Sequence, residues 1–249
     1  MHGTVTTNLP DALQRCEHCP IRHQAVCGAM DEAQLKKLGQ ISHRKKLSPG
    51  QTIISDEEPV DFFANVISGA VKLTKTLADG RQQIVGLLFA PDFLGRAYSK
   101  SNPYTAEAAT EVEICTFPTA AFERLVGEYP GLQQRLFKHA LDELDAARDW
   151  MLLLGRKTAE EKVASFLHMM ARRSLMIGCA HSKGPEAATF DLPLTRADMA
   201  DYLGLTIETV SRQLTKLKTA NVIRLSANRL IMVPDINRLA QVAGQEHEH

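Results

Sequence analysis

An α+β fold is predicted for this 249-residue chain: an N-terminal β-roll, one long helix, and a C-terminal winged helix-turn-helix. Three observations carry that prediction. Short apolar runs separated by glycine-bearing turns fill residues 47–117, two apolar ladders of seven-residue period run through 132–154, and two capped helices meet at a tight turn around Gly204. The length suits two domains, each large enough to bury its own core. We expect a cysteine-bearing segment at 1–30, the roll at 31–130, the long helix at 131–156 and the winged helix-turn-helix at 157–249.

The composition, 44% hydrophobic and 23% charged, is ordinary for a compact soluble protein. No run of 18 apolar residues occurs, and the start MHGTVTTNLPDALQR lacks both a basic and an apolar leader region, so a cytoplasmic protein with no membrane partner is expected. Thiols stay reduced there, so the five cysteines point to metal or redox chemistry rather than to a disulfide framework. With 29 basic and 29 acidic side chains the net charge is zero, but the stretch 206–229 sets Arg212, Lys216, Lys218, Arg224 and Arg229 against the single acid Glu208. A local basic patch of this kind is the footprint expected where phosphates dock.

Element by element, a short helix from Asp31 to about Gln40 turns Leu35 and Leu38 inward. Gly50, Gly69, Gly80 and Gly95 then punctuate the roll at intervals suited to antiparallel strands. Along the strand EVEICTF, Val112 and Ile114 point one way and Glu113 and Cys115 the other, so Cys115 faces away from the roll's core. The ladders of the long helix are Phe137, Leu144, Met151 and Ala140, Ala147, Leu154. They form an a/d seam suited to pairing with a second copy, the competing reading being a helix laid on its own roll. Asp149 lies beside the seam, where a carboxylate makes pairing conditional on its surroundings. A second helix runs from Ala159 to about Ile177, and GCAHSKGPEAAT (178–189) reads as a surface loop in which Cys179 has no partner in sequence.

Thr195 caps the first helix of the pair, with Asp198 completing a capping box, and Thr206 caps the second. In that second helix Val210, Leu214 and Leu217 share the buried face, while Glu208, Ser211, Arg212 and Thr215 share the opposite one. This is what a helix entering a DNA major groove requires: Arg212 suits guanine O6 and N7, and Glu208 suits cytosine N4. Glu208, Ser211 and Arg212 are the base-contact candidates. Thr195, Thr206, Thr209, Thr215, Arg224 and Arg229 are candidates for the DNA backbone or additional contacts, the two arginines lying on a wing of two short strands joined by Ser226, Ala227 and Asn228. The alternative is a plain three-helix packing unit with a solvated charged face.

Cys16, Cys19 and Cys27 lie within CEHCPIRHQAVC. Soft sulfur ligands select iron-sulfur clusters or zinc over hard cations. His18 and His23 among them leave open a zinc site of three cysteines and one histidine, and an unmetallated trio with Cys115 as a small buried hydrophobe is the third reading.

A roll, a long dimer helix and a winged helix-turn-helix bearing ETVSR resemble the cyclic-AMP receptor protein superfamily. The cysteine set and MLLLGRKTAEEKVASFL resemble its oxygen-sensing fumarate and nitrate reduction branch, in the form found in alphaproteobacteria. The resemblance implies that Cys16, Cys19, Cys27 and Cys115 hold a [4Fe-4S] cluster, here with C-x2-C-x7-C spacing where enteric members have a shorter second gap. It also implies a homodimer that is favoured while the cluster is intact and that binds double-stranded DNA at TTGAT-N4-ATCAA palindromes read by Glu208, Ser211 and Arg212. RNA polymerase is the further partner implied, touched through roll loops that include Ala78 to Gln82, a stretch that is also simply a good hairpin turn. Tying residue 27 to residue 115 costs about 4 kcal/mol of loop closure, which metal-thiolate bonding must offset.

No cyclic nucleotide is expected: the phosphate-binding stretches read PDFLG and PYTAEA, and Arg96, the nearest arginine, is expected in a surface salt bridge. An enzyme reading finds neither a P-loop nor G-x-S-x-G, and the nine histidines form no paired metal motif. A zinc-stabilised regulator indifferent to air and a haem-binding gas sensor are the remaining alternatives.

Overall fold

Alternation of side chains along each strand builds the first half of the molecule in two layers. The structure, a computed structural model, describes residues 14–59, 61–176, 187–226 and 229–245. The chain divides into two compact units, 1–144 and 145–249, the division falling inside the long helix.

In the first unit, after a short 3-10 helix at Val26–Ala29, helix α1 spans Glu32–Ile41 with Asp31 as its N-cap in a capping box with Gln34. Eight strands follow: β1 His43–Leu47, β2 Thr52–Ile54, β3 Phe62–Ser68, β4 Ala70–Thr76, β5 Gln82–Phe89, β6 Phe93–Leu94, β7 Thr105–Ala108 and β8 Val112–Pro118. They form two antiparallel four-stranded sheets, β1-β8-β3-β6 and β2-β7-β4-β5. One face of the first sheet contributes Ala64, Val66, Val112 and Ile114 to the core of the roll. Its other face turns Phe63, Ile67 and Phe117 toward a second core, roofed by the N-terminal segment, α1, α2 (Thr119–Glu128) and the start of α3 (Pro130–Arg156). There Phe122 stacks on Phe117 and Phe93 and tilts against Phe63, with ring centroids 5.3 to 5.6 Å apart.

All four punctuating glycines have positive φ. At Gly69, between β3 and β4, a Cβ would collide with the carbonyl oxygen of Glu111, so both the turn and the close backbone approach require glycine. The turn after β4 is a tight hairpin: Leu77 donates its N–H to Arg81, and the Asp79 carboxylate accepts from the Arg81 backbone and side chain. Arg96 departs from expectation: it is exposed and makes no ion pair among the described residues.

Helix α3 is a single element of 27 residues. Leu132 is buried, Arg135 donates to the Gln24 carbonyl at 2.6 Å, and His139 Nε2 accepts the Phe93 N–H at 3.0 Å. Beyond these ties the apolar ladder lies open: Phe137 is 66% exposed, Leu144 46% and Met151 72%, with Leu141 and Leu152 exposed beside them. Ala140 and Ala147 are exposed as well, whereas Leu154 is half-buried, lying beside Gly204.

The second unit packs α4 (Ala159–Met176) against α6 (Ile207–Thr219) and α7 (Ile236–Val242), with α5 (Arg196–Leu203) beside α6. Trp150 stacks on Tyr202 at 4.0 Å. The wing differs from the two strands expected. It is a three-stranded sheet, β10 (Arg224–Leu225), β11 (Leu230–Val233) and β9 (Ala188–Asp191), so the end of the expected 178–189 loop is strand. Every residue of β11 pairs with β9. Cys179, Ala227 and Asn228 lie outside the described residues.

Candidate cysteine pocket and nucleic-acid interface

Cys115 lies mid-strand on β8, in register with Arg44 of β1 and Asn65 of β3. As the alternation requires, Val112 and Ile114 enter the roll core while Cys115 packs against the second core. The other thiols come from a compact N-terminal segment. Residues 14–17 are helical and carry Cys16, the Cys19 N–H bonds to the Cys16 carbonyl at 3.3 Å, and buried Ile21, Ala25 and Val26 anchor the chain ahead of Cys27. After Cys27 the backbone folds tightly: a Cβ on Gly28 would lie 2.6 Å from the His23 carbonyl oxygen.

The four cysteines are all free thiols and line one pocket with Arg15, Arg44, Ser42 and Asn65, over an apolar floor that includes Leu35 and Phe117. Burial pushes the Cys27 and Cys115 thiols up to about 12, and the proximity of the other cysteines pushes in the same direction. Burial raises Cys16 as well, against the opposing pull of a Ser42 hydrogen bond and of the Arg15 and Arg44 charges. The residues therefore interact as one set, with two guanidinium groups at hand to balance anionic sulfur. Arg44 is itself held by Glu113 at 3.3 Å and by the Arg15 carbonyl at 3.4 Å.

In number and kind this donor set matches an iron-sulfur cubane, whose four irons each take one thiolate. It fits the three-cysteine, one-histidine zinc reading less well. His18 and His23 are exposed and do not line the pocket, and His18 Nδ1 is bonded to the Gln14 carbonyl. Among the described residues, no three His, Cys, Asp or Glu side chains gather closely enough to hold a single ion.

In the second unit, both caps form as the sequence indicates. Thr195 accepts from the Asp198 N–H in a capping box, Gly204 closes α5 at φ 61°, and Thr206 accepts from the Thr209 N–H. Val210, Leu214 and Leu217 are buried, whereas Glu208, Ser211, Arg212 and Thr215 are exposed on α6, with Thr215 donating to the Ser211 carbonyl. Hydrogen bonds from its own backbone N–H and from Thr206 hold the Glu208 carboxyl below the usual carboxylate range, keeping it a charged acceptor. Thr195, Thr206, Arg224 and Arg229 are exposed around this helix, and Thr209 is half-buried against Thr206.

Two features alter the charge pattern read from the sequence. Lys216 is paired with Glu160 of α4, so the patch is less basic than the count within 206–229 implied. Arg196, absent from that count, lies near enough to Arg229 for their like charges to interact, and its buried Nη1 lacks a partner. An arginine at the first turn of α5 is adjacent to the patch only in space, which is why a local count misses it.

Residues 44–129 match the family described as cyclic nucleotide-binding domain, and residues 161–242 the one described as Crp-like helix-turn-helix domain. The chain is 48% identical over 240 residues to the transcriptional activator protein FnrL of Cereibacter sphaeroides, covering 96% of each chain. It is 43% identical over 210 residues to the nitrogen fixation regulation protein FixK of Bradyrhizobium diazoefficiens, covering 84% of this chain and 86% of the relative. The solved structure of FixK2 from Bradyrhizobium japonicum matches with a TM-score of 0.73 at 32% identity, over 84% of this chain and 100% of that one.

Replacing Thr206 by Ala removes an acceptor from the first turn of α6 and is expected to lower stability by about 1 kcal/mol, read by denaturant unfolding; Thr206→Ser, which keeps the hydroxyl, is expected to lose much less.

Proposed function

Since this chain belongs to the Crp/Fnr family of transcription regulators, we propose that it is the oxygen-responsive kind, controlling genes through a [4Fe-4S] cluster held by Cys16, Cys19, Cys27 and Cys115. One observation carries the proposal: thiols from two distant parts of the sequence line a single pocket. When bound, the cluster supplies oxygen-sensitive iron and sulfide, so the tie between residues 27 and 115 depends on the surrounding oxygen.

The residues around the pocket offer a route outward. Arg135 of α3 grips the carbonyl of Gln24, three residues before Cys27, and Leu132 shares a core with Cys27 and Val26. The position of the cysteine segment therefore bears directly on the part of α3 that precedes Phe137. The exposed ladder Phe137, Ala140, Leu144, Ala147, Met151 pairs with its copy in a second subunit, with Leu154 divided between that seam and the turn at Gly204. Asp149 is exposed and has no ion-pair partner among the described residues, so pairing brings uncompensated carboxylates toward the seam. A dimer sets two α6 helices about 34 Å apart for the two halves of a palindrome. Glu208, Ser211 and Arg212 read TTGAT half-sites, while Thr195, Thr206, Thr209, Thr215, Arg224 and Arg229 supply backbone or additional contacts. RNA polymerase meets the bound dimer through exposed turns of the roll such as 78–82. No cyclic nucleotide enters this account.

Anaerobically purified protein is expected to hold about four irons and four sulfides per chain and to be brown, bleaching when air is admitted. Zinc with a spectrum indifferent to air would leave the family assignment intact and remove the sensor. DNA selection should return TTGAT-N4-ATCAA, and Arg212→Ala should weaken binding to that site about 5- to 100-fold at constant salt; unrelated half-sites would overturn the assignment of the base-contact residues. Asp149→Ala should raise the dimer fraction measured by sedimentation in air. A variant that dimerises no better than the parent removes Asp149 from the switch.

A further inference from the structure

Asn65 is the polar exception on an apolar face. On β3 it lies between Ala64 and Val66, both directed into the roll core, and shares the opposite face with Phe63 and Ile67. Its cross-strand partners are Cys115 of β8 and Phe93 of β6, and the side chain lines the cysteine pocket. Only 1% of the residue is exposed, and its Oδ1 has no hydrogen-bond partner. An unsatisfied amide oxygen in such a place is costly, and a leucine of similar size would bear no such penalty.

A half-turn of the amide exchanges its oxygen and NH2 without changing the space it fills, so whichever end faces the pocket can carry the two donors. Anionic sulfur is an acceptor that the four neighbouring cysteines would bring there. We propose that Asn65 is a positioning residue that donates an N–H to a cysteinyl or inorganic sulfur beside Cys115, lowering the reactivity of that corner of the cluster toward oxygen. This rests on the cluster reading of the pocket. Hydrogen bonds to sulfur are one of the means by which a protein sets the electronic properties of such a cluster. Arg15 and Arg44 add charge at the same pocket, but Arg44 is exposed and tied to Glu113 and the Arg15 carbonyl, whereas Asn65, on the other side of Cys115 in the sheet, is buried.

The test compares the full-length parent, Asn65→Leu and Asn65→Asp after anaerobic reconstitution with iron and sulfide. Resonance Raman bands of iron-sulfur stretching should shift on deuterium exchange in the parent, and the contribution from this donor should vanish in Asn65→Leu. Bleaching in air should be about tenfold faster in that variant, the scale of one hydrogen bond to a charged group. Without metal, Asn65→Leu should melt at or above the parent, because the unpartnered buried oxygen is gone. Asn65→Asp keeps the shape and removes the NH2, so it should show the same spectroscopic loss even where the leucine perturbs packing. Equal isotope shifts and equal bleaching rates in parent and variants would overturn the role of Asn65 while leaving the cluster in place. A parent that takes up no iron and sulfide would overturn the cluster reading and this proposal together.

Discussion

The two faces of strand β8 are the constraint on which the first unit depends. A strand in mid-sheet must satisfy both sides at once, and β8 does so by sending Val112 and Ile114 into the roll and Cys115 and Phe117 outward. The outward face needs a cover, and the cover comes from the N-terminal segment, α1, α2 and the first turns of α3, packed around the rings of Phe63, Phe93, Phe117 and Phe122. Shifting β8 by one residue would turn Cys115 into the roll and Ile114 into the pocket. Register and thiol chemistry are thus one structural decision.

The same electrostatic rules act in opposite senses at the two sites. Around the cysteines, burial dominates and keeps Cys27 and Cys115 protonated far beyond neutral pH, so ionic sulfur there needs a positively charged occupant to stabilise it. On α6, exposure and capping keep Glu208 charged and ready to accept hydrogen bonds from outside. A buried site is selective through what it costs to leave empty of charge. An exposed one is selective through the order in which donors and acceptors are displayed along the helix.

Much of this was legible in the sequence because it is local. Caps at Thr195 and Thr206, the punctuating glycines, the face carrying Val210, Leu214 and Leu217, and the outward direction of Cys115 each follow from residues a few positions apart. What escaped depends on partners distant in the chain. Lys216 finds Glu160, Arg196 approaches Arg229, β9 joins the wing, and Leu154 meets the turn at Gly204. Asn65 escaped for another reason. Within FFANVIS it reads as an ordinary strand residue, and only its register with Cys115 reveals where it stands.

The strand order has a consequence for how the protein is made. Cys16, Cys19 and Cys27 leave the ribosome early, but the fourth thiol lies on β8, the last strand of the roll to be synthesised and the one that must insert between β1 and β3. Until that insertion the first sheet is open at its middle, and three thiols stand without their fourth. Non-local pairing of this kind is slow, because loop closure must precede the contacts that reward it. Completion of the pocket therefore reports completion of the roll, and an intact thiol quartet is a property only of chains whose N-terminal unit has already folded.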